Sequence, residues 1–436
     1  MGGIDMMVAE AIRPLDPGIK LLLLPELAVK LTLGALVRQK ENVVAITFED
    51  ETILLDKADF DLAAKAAKKL KLKNPDLKQL SAGKLLGMLG WAKKHISEEL
   101  FLPGVVRVLY WQAPEKGSAF WRALVPAMAV NVGTRVLAHL VSPRRSAREA
   151  LEYDVVVFQI GYDRMTQQYA RSLQSLGKKI VFDFDDDFFS SKRWHGGHEA
   201  FQNVQAREDL KGMIGLADAV SVTTAHLKEK YMPYAKRVEI LPNYIPLAAW
   251  PKSEPHGTDE FRVLWAGSPS HFGDLKEVAS ALITFAKKQS NVRLIFFGRE
   301  PVGLDEIKSQ VVCLPWCEMD EYPIKLSEIK ADVAIAPLVN AEFNLSKSNI
   351  KALEYAACGY PIIASNVGPY KDTIDNGADG FLCQDQGEWE KALTALLHSS
   401  ELRSQFRERA TEMVRRYDVD RHRHEIENFF TSLGGA

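Results

Sequence analysis

From about residue 105 onward the chain repeats one pattern, a short run of consecutive apolar residues followed by a longer amphipathic stretch. The runs are VVRVLYW from Val105, DVVVFQI from Asp154, KIVFDF from Lys179, AVSVTT from Ala219 and RVEILP from Arg237. They lack the polar alternation of a half-exposed strand, so each predicts a strand covered on both faces by helices, which is the parallel α/β arrangement. The stretch WPKSEPHGTDE, rich in proline, glycine and charge, reads as a linker. A second set follows: FRVLWAG from Phe261, VRLIFFG from Val292, VVCLPW from Val311, DVAIAPL from Asp332 and YPIIAS from Tyr360. The expected architecture is therefore two successive Rossmann-like units joined near residue 250, spanning 105–250 and 251–412. A charged amphipathic helical tail over 413–436 is expected to pack back on the first unit.

Residues 1–104 break the pattern. They read as mainly helical, with one hairpin at NVVAITFEDETILL around the acidic turn Glu49-Asp50-Glu51. Leu21 to Val37 is apolar but interrupted by Pro25, Glu26 and Lys30, so it reads as a core helix rather than a membrane span. The first residues have neither a basic nor an apolar leader region, which predicts a cytoplasmic protein. Lysines crowd residues 65–94 (Lys65, Lys68, Lys69, Lys71, Lys73, Lys78, Lys84). They read either as a solvated helix face or as a weak contact with a membrane surface, which would place the chain at the inner membrane face, or with nucleic acid. A formal charge of −2 over 436 residues gives no global field that would select acidic partners. Four cysteines without a matching histidine or second pair read as free thiols and not as a zinc site.

The stretch SKSNIKALEYAACGYPIIAS, Ser346 to Ser365, carries the strongest chemical signal. Ile350, Leu353 and Ala357 give a helix over Asn349 to Cys358 one buried face, Ser346 or Ser348 can cap its start, and Gly359 stands where a helix ends. Lys347, Lys351 and Glu354 fall at i, i+4 and i+7 on another face. A helix N-terminus offers unpaired N–H groups and a partial positive charge, and two lysines make it a phosphate site. A carboxylate further along can accept hydrogen bonds from the hydroxyl pair of a ribose. An exposed Lys–Glu ladder is the alternative reading.

ALEYAACGYPIIASNVGPYKDTIDNGADGFLC resembles the donor half of GT-B glycosyltransferases of the family 4, or group 1, type. The resemblance implies that Glu354 binds the nucleotide ribose. The family's earlier glutamate is replaced by Ser346, which leaves Lys347 and Ser348 to help hold the diphosphate. FRVLWAGSPSHFGDLKEV resembles a G-S-x-x-H-x-x-D-L variant of the same superfamily, and this places Gly267, Ser268 and His271 at the diphosphate. Arg299, after the next strand, stands where relatives put a basic residue facing it. On the acceptor side, Gly117 and Ser118 would line the cleft, and Arg122 with Pro126 resembles a Y-R-x-x-x-P arrangement.

VFDFDDDFFSSKRWHGGH places Asp183, Asp185, Asp186 and Asp187 at the carboxyl end of a strand, where α/β sheets hold ligands. Three readings stay open: a divalent-metal D-x-D, a general base or acceptor of sugar hydroxyl bonds at Asp183 or Asp185, and a structural turn. The expected catalytic groups are Asp183, Asp185 and Lys351. The implied activity is transfer of a sugar from a UDP- or GDP-sugar to a glycan hydroxyl, retaining and with no obligatory metal. A nucleotide-sugar epimerase or hydrolase, a phage DNA-base glycosyltransferase and a non-catalytic nucleotide-binding scaffold are the alternatives.

Overall fold

The structure is a computed structural model; it describes residues 43–48, 51–56, 105–111, 117–133, 135–141, 147–159, 164–190, 203–267, 272–298, 301–319 and 321–434. The expected helices before residue 105 and the lysines of 65–94 lie outside the described residues. The hairpin strands are described: β1 (Val43–Phe48) and β2 (Glu51–Asp56) pair antiparallel, with Phe48 opposite Glu51.

Two parallel six-stranded sheets follow. The first contains β3 (Val106–Trp111), β4 (Val136–Val141), β5 (Val155–Gln159), β6 (Lys179–Phe184), β7 (Ala219–Val222) and β8 (Val238–Ile240), in the order β4-β3-β5-β6-β7-β8. The second contains β9 (Phe261–Ala266), β10 (Val292–Gly298), β11 (Val311–Pro315), β12 (Val333–Ala336), β13 (Ile362–Ser365) and β14 (Phe381–Cys383), in the order β11-β10-β9-β12-β13-β14. In both sheets the chain starts in the interior and winds outward in two directions, so strand ends diverge at a switch point, the usual place for a ligand. Strands β4 and β14 were not expected from the sequence. VLAHLV is broken by a histidine, and Phe381–Cys383 is only three residues long.

Alternate residues of each strand feed opposite layers. In the first sheet Val108, Val157, Val181 and Ala219 face one core, while Leu109, Val156, Phe158 and Phe182 face the other. The second layer is covered by the helices Arg164–Ser175 and Val204–Leu216 through Leu173, Leu210 and Met213. The first is covered partly by the final helix, Val419–Gly434, whose Phe430 meets Tyr110 edge-on at 6.0 Å. That helix is tied to the first sheet's domain by bonds from Arg135 to Asn428 and Thr431, and from Tyr244 to Glu425. Next to the linker, Ile245 and Asp418 form a parallel bridge, which fixes where the returning chain crosses.

Candidate active site

In the second domain β9 and β10 end beside the start of the helix Ile350–Cys358, where Lys351 reaches the carbonyl of Ala266 and Gly298 approaches Gly267. This helix stops at Gly359, whose φ of +78° places it in the left-handed region; the Gly359 and Tyr360 N–H groups close the last turn onto Ala356 and Tyr355. Close approach explains the glycines at the strand ends. A Cβ on Gly267 would lie 2.7 Å from the Trp265 ring and 3.1 Å from Lys351 Nζ. A Cβ on Gly298, at φ +109°, would lie 2.5 Å from the Trp316 ring and 2.7 Å from Gly267 O.

Lys351 is buried, 8% exposed, and donates to the carbonyl of Ala266, with its ammonium 5.3 Å from the Trp265 ring centre. Among the described residues no carboxylate lies within ion-pair distance of it, and burial lowers its pKa. Glu354, one turn further, accepts a 3.1 Å bond from Tyr322 Oη on Oε2, while its Oε1 has no hydrogen-bond partner among the described residues. Burial raises its carboxyl to about 7, against the opposing pull of Lys351 and Tyr322. Asp274 accepts from Val339 N at 3.1 Å and Asn344 Nδ2 at 2.8 Å, and so fixes the loop leading into this helix.

Two expectations need correction. The lysine–glutamate face is not exposed, because every residue from Lys351 to Cys358 is buried; the helix is wedged among β13, the helix Tyr322–Glu328 and the helix Ser400–Val414. Neither serine caps it. The N-cap is Asn349, whose side chain makes no capping bond and instead donates to Thr373 Oγ1 at 2.9 Å, and the three residues before it are drawn to the other domain. Ser346 O accepts from Thr224 Oγ1 at 3.3 Å, Lys347 Nζ meets Asp186 Oδ1 at 2.7 Å, and Ser348 Oγ accepts from Asn243 Nδ2 at 2.9 Å. Burial pulls the Lys347 pKa down, but Asp186 and its neighbours raise it overall, so Lys347 stays charged. Ser268, His271 and Arg299 lie outside the described residues.

The first domain presents its own strand ends to the same place. Arg122 sits in a π-helical turn, Phe120–Leu124, just before Pro126. Pro126 has no N–H to donate to the carbonyl four residues back, and a widened turn is one way to absorb that break. Arg122 Nε and Nη2 donate to the two oxygens of Asp183 at 2.8 and 2.6 Å, and Nη1 donates to Leu241 O at 2.6 Å and Asn243 Oδ1 at 3.0 Å. Ser221 Oγ donates a further 2.6 Å bond to Asp183. Both residues are only 3% exposed.

Asp183 is therefore committed on both oxygens and is not placed to take an acceptor's proton. Arg122 is turned inward rather than lining the cleft. Asp187 closes a turn by accepting from the N–H groups of Phe189 and Ser190 at 2.9 and 3.3 Å. Asp185 alone of the four has no hydrogen-bond partner among the described residues. Burial, reinforced by Asp186, raises its carboxyl to about 7. Among the described residues no group of three or more His, Cys, Asp or Glu is arranged to hold a metal ion. Gly117 is exposed and Ser118 half-buried; a Cβ on Gly117 would lie 3.7 Å from Met319 Sδ, so this turn faces the second domain.

Sequence reasoning missed Ser221, Asn243 and Tyr322. Ser221 had a signal, a hydroxyl within the apolar run AVSV; a lone Asn just after the run RVEILP and a Tyr beside Pro323 gave none.

Two sheets of this topology, facing each other across the linker, define the GT-B fold. Anabaena Alr3699/HepE, solved in complex with UDP, shares it with 14% identity over 75% of this chain and 100% of its own, at a TM-score of 0.55. Sucrose-phosphate synthase from Thermosynechococcus elongatus shares it with 13% identity over 76% and 99% of the two chains, at 0.53. A glycosyltransferase from Rickettsia africae does so with 10% identity over 76% and 98%, at 0.51. Residues 248–413, which hold the second domain, match the family described as glycosyl transferases group 1. No curated protein matches the chain in sequence. No helix among the described residues is long and apolar enough to cross a membrane.

Proposed function

We propose that the protein transfers a sugar from a UDP-sugar to a hydroxyl acceptor, with the nucleotide held in the crevice of the second domain. One observation carries this reading: Lys351 is a buried ammonium with no ion-pair partner among the described residues. Burying an unpaired charge is costly, and its retention makes sense where an anion arrives to pair with it. The diphosphate would sit over Lys351 and the backbone at Gly267, close to Lys347. The ribose hydroxyls would meet the unpartnered Oε1 of Glu354. HepE, of the same fold, was solved with UDP and with UDP-glucose, which favours uridine over guanosine as the nucleotide.

In the transfer the bond from the sugar's anomeric carbon to the diphosphate breaks and a bond to the acceptor oxygen forms; the acceptor proton leaves, and UDP departs. Lys351 and Lys347 would stabilise the charge growing on the diphosphate, an electrostatic contribution aimed at the transition state. With Asp183 fixed to Arg122, Asp185 is the carboxylate left to face the reacting sugar, and a pKa of about 7 lets it hold or release a proton near neutral pH.

Calorimetric titration of UDP tests the reading. Lys351→Met should weaken UDP binding by about 10- to 100-fold, the worth of a hydrogen bond to a charged group. An unchanged Kd in Lys351→Met and in Glu354→Ala would remove the crevice as the nucleotide site.

A further inference from the structure

Tyr322 opens the helix Tyr322–Glu328 and is only 2% exposed. Pro323 follows it, which suits a first turn because the N–H that proline lacks would have no partner within the helix. Three rings enclose the phenol. Phe297, near the end of β10, stacks on it with centres 5.6 Å and planes 17° apart. Trp316, just past β11, lies at 5.1 Å, and Trp250 of the linker meets it edge-on at 6.0 Å. The ring is fixed from three separate segments, and its hydroxyl is bonded to Glu354 Oε2 at 3.1 Å.

Burial raises the pKa of this phenol well above its ordinary value, and Glu354 adds to the rise, so Tyr322 keeps its proton and is the donor in the bond. Its effect on Glu354 is the reverse: it draws the carboxyl down against the burial that raises it to about 7. With Oε2 held, the carboxylate cannot turn about its last bond without giving up a buried hydrogen bond. Oε1 makes no hydrogen bond among the described residues, and it is not one of the polar atoms sealed from solvent. A carboxylate can accept about four hydrogen bonds, so most of the capacity of Glu354 is unspent. Phenylalanine would serve the three-ring packing equally well. The hydroxyl has a purpose only if Glu354 must be held.

We propose that Tyr322 is a positioning residue for the transfer: by holding Oε2 of Glu354 it keeps Oε1 presented to the ribose hydroxyls, and so sets the preference of the site for a ribonucleotide donor. The inference deepens the reading of this place as the nucleotide site and rests on it.

The test uses the full chain with Tyr322→Phe, Glu354→Ala and the double variant. Each is titrated calorimetrically with UDP and with dideoxyuridine diphosphate, which lacks both ribose hydroxyls. The two nucleotides share base and diphosphate, so the ratio of their affinities isolates the hydroxyls. The parent should prefer UDP by about 10- to 100-fold, and Glu354→Ala should abolish that preference. Tyr322→Phe should lower it by about 3- to 10-fold while affinity for the dideoxy nucleotide stays within about twofold. In the Glu354→Ala background the same change should leave UDP affinity where it is, because the hydroxyl then has no oxygen to hold.

A preference unchanged in Tyr322→Phe overturns the inference and leaves the donor reading standing. Equal losses for the two nucleotides, or a loss of UDP affinity that persists without Glu354, make Tyr322 a structural residue and overturn it too. A parent that ignores UDP, or a preference that survives Glu354→Ala, removes the donor reading and the inference with it.

The pH profile of the preference is a second measurement that packing alone would not move. The charged and titratable groups facing Glu354 are Lys351, Tyr355 and Cys358 on its own helix, Tyr322, and Tyr370 on the helix Gly368–Lys371. Burial raises the thiol and the phenols, which stay neutral, so Lys351 and Tyr322 are the groups that draw the carboxyl down. In the parent the preference should fade as pH drops through about 7; in Tyr322→Phe it should fade at a higher pH. An unchanged midpoint overturns the inference.

Discussion

The two domains bury positive charge in opposite ways. In the first, Arg122 gives hydrogen bonds from three nitrogens, at 2.6 to 3.0 Å, to Asp183, Asn243 and Leu241 O, and the Ser221 hydroxyl donates a further bond to Asp183. In the second, Lys351 meets a carbonyl and an aromatic ring and has no ion-pair partner among the described residues. From the sequence, Lys351 stands beside Glu354 on one helix, while Arg122 reads as an acceptor-side residue and Asp183 as a catalytic one. The structure separates them. A charge whose partners are all supplied by the protein holds the fold together, whereas under the proposed function Lys351 is kept for a ligand.

The contrast can be broken most forcefully at Asp183. Removing one member of a buried, hydrogen-bonded pair leaves the other unpaired, so Asp183→Ala should lower stability by about 3–5 kcal/mol in denaturant unfolding. A small loss would mean that the pair is not the scaffold it looks like. Lys351→Met should behave in the opposite sense, with stability unchanged or higher while UDP affinity falls, because no partner is orphaned. A loss of stability matching that of Asp183→Ala would erase the distinction between the two regions.

Between the domains, Lys347 is shared. It pairs with Asp186 in this arrangement, yet it belongs to the segment that opens the donor helix. Asp186→Asn should free it and tighten UDP binding by about two- to fivefold, the scale of a partly exposed ion pair. Weaker binding would instead show that the cross-domain contact helps to form the site.

The smallest effect is pH-dependent. Glu354 titrates at about 7 in the folded chain and near 4.3 when unfolded. The folded state therefore binds its proton more tightly, and the stability from this group is full below the unfolded value and is lost as pH rises through 7. Glu354→Gln lacks this loss, so its melting temperature relative to the parent should climb between pH 4.5 and 8. A flat difference would mean that burial does not hold the carboxyl up.

Ten of the twelve strands of the two sheets were legible in the sequence because each is a short, mostly apolar run, a local property, and all but the edge strands β8 and β11 are largely buried. The helix over 350–358 and its glycine stop were legible for the same reason. The pairing of Arg122 with Asp183, 61 positions apart, was not. Each residue alone looks like a site residue, and only the fold reveals that they neutralise each other. The serines before the donor helix illustrate the same limit. Local rules make them caps, but Asn243 of the other domain engages the Ser348 hydroxyl, and the Ser346 hydroxyl is buried without a hydrogen-bond partner among the described residues.

The most direct test of the account is a crystal structure of the protein with UDP. The diphosphate should be seen within hydrogen-bond distance of Lys351 Nζ beside Gly267, and a ribose hydroxyl on Glu354 Oε1. A diphosphate lodged instead among Asp183 to Asp187, with Lys351 still bonded to Ala266 O alone, would contradict it.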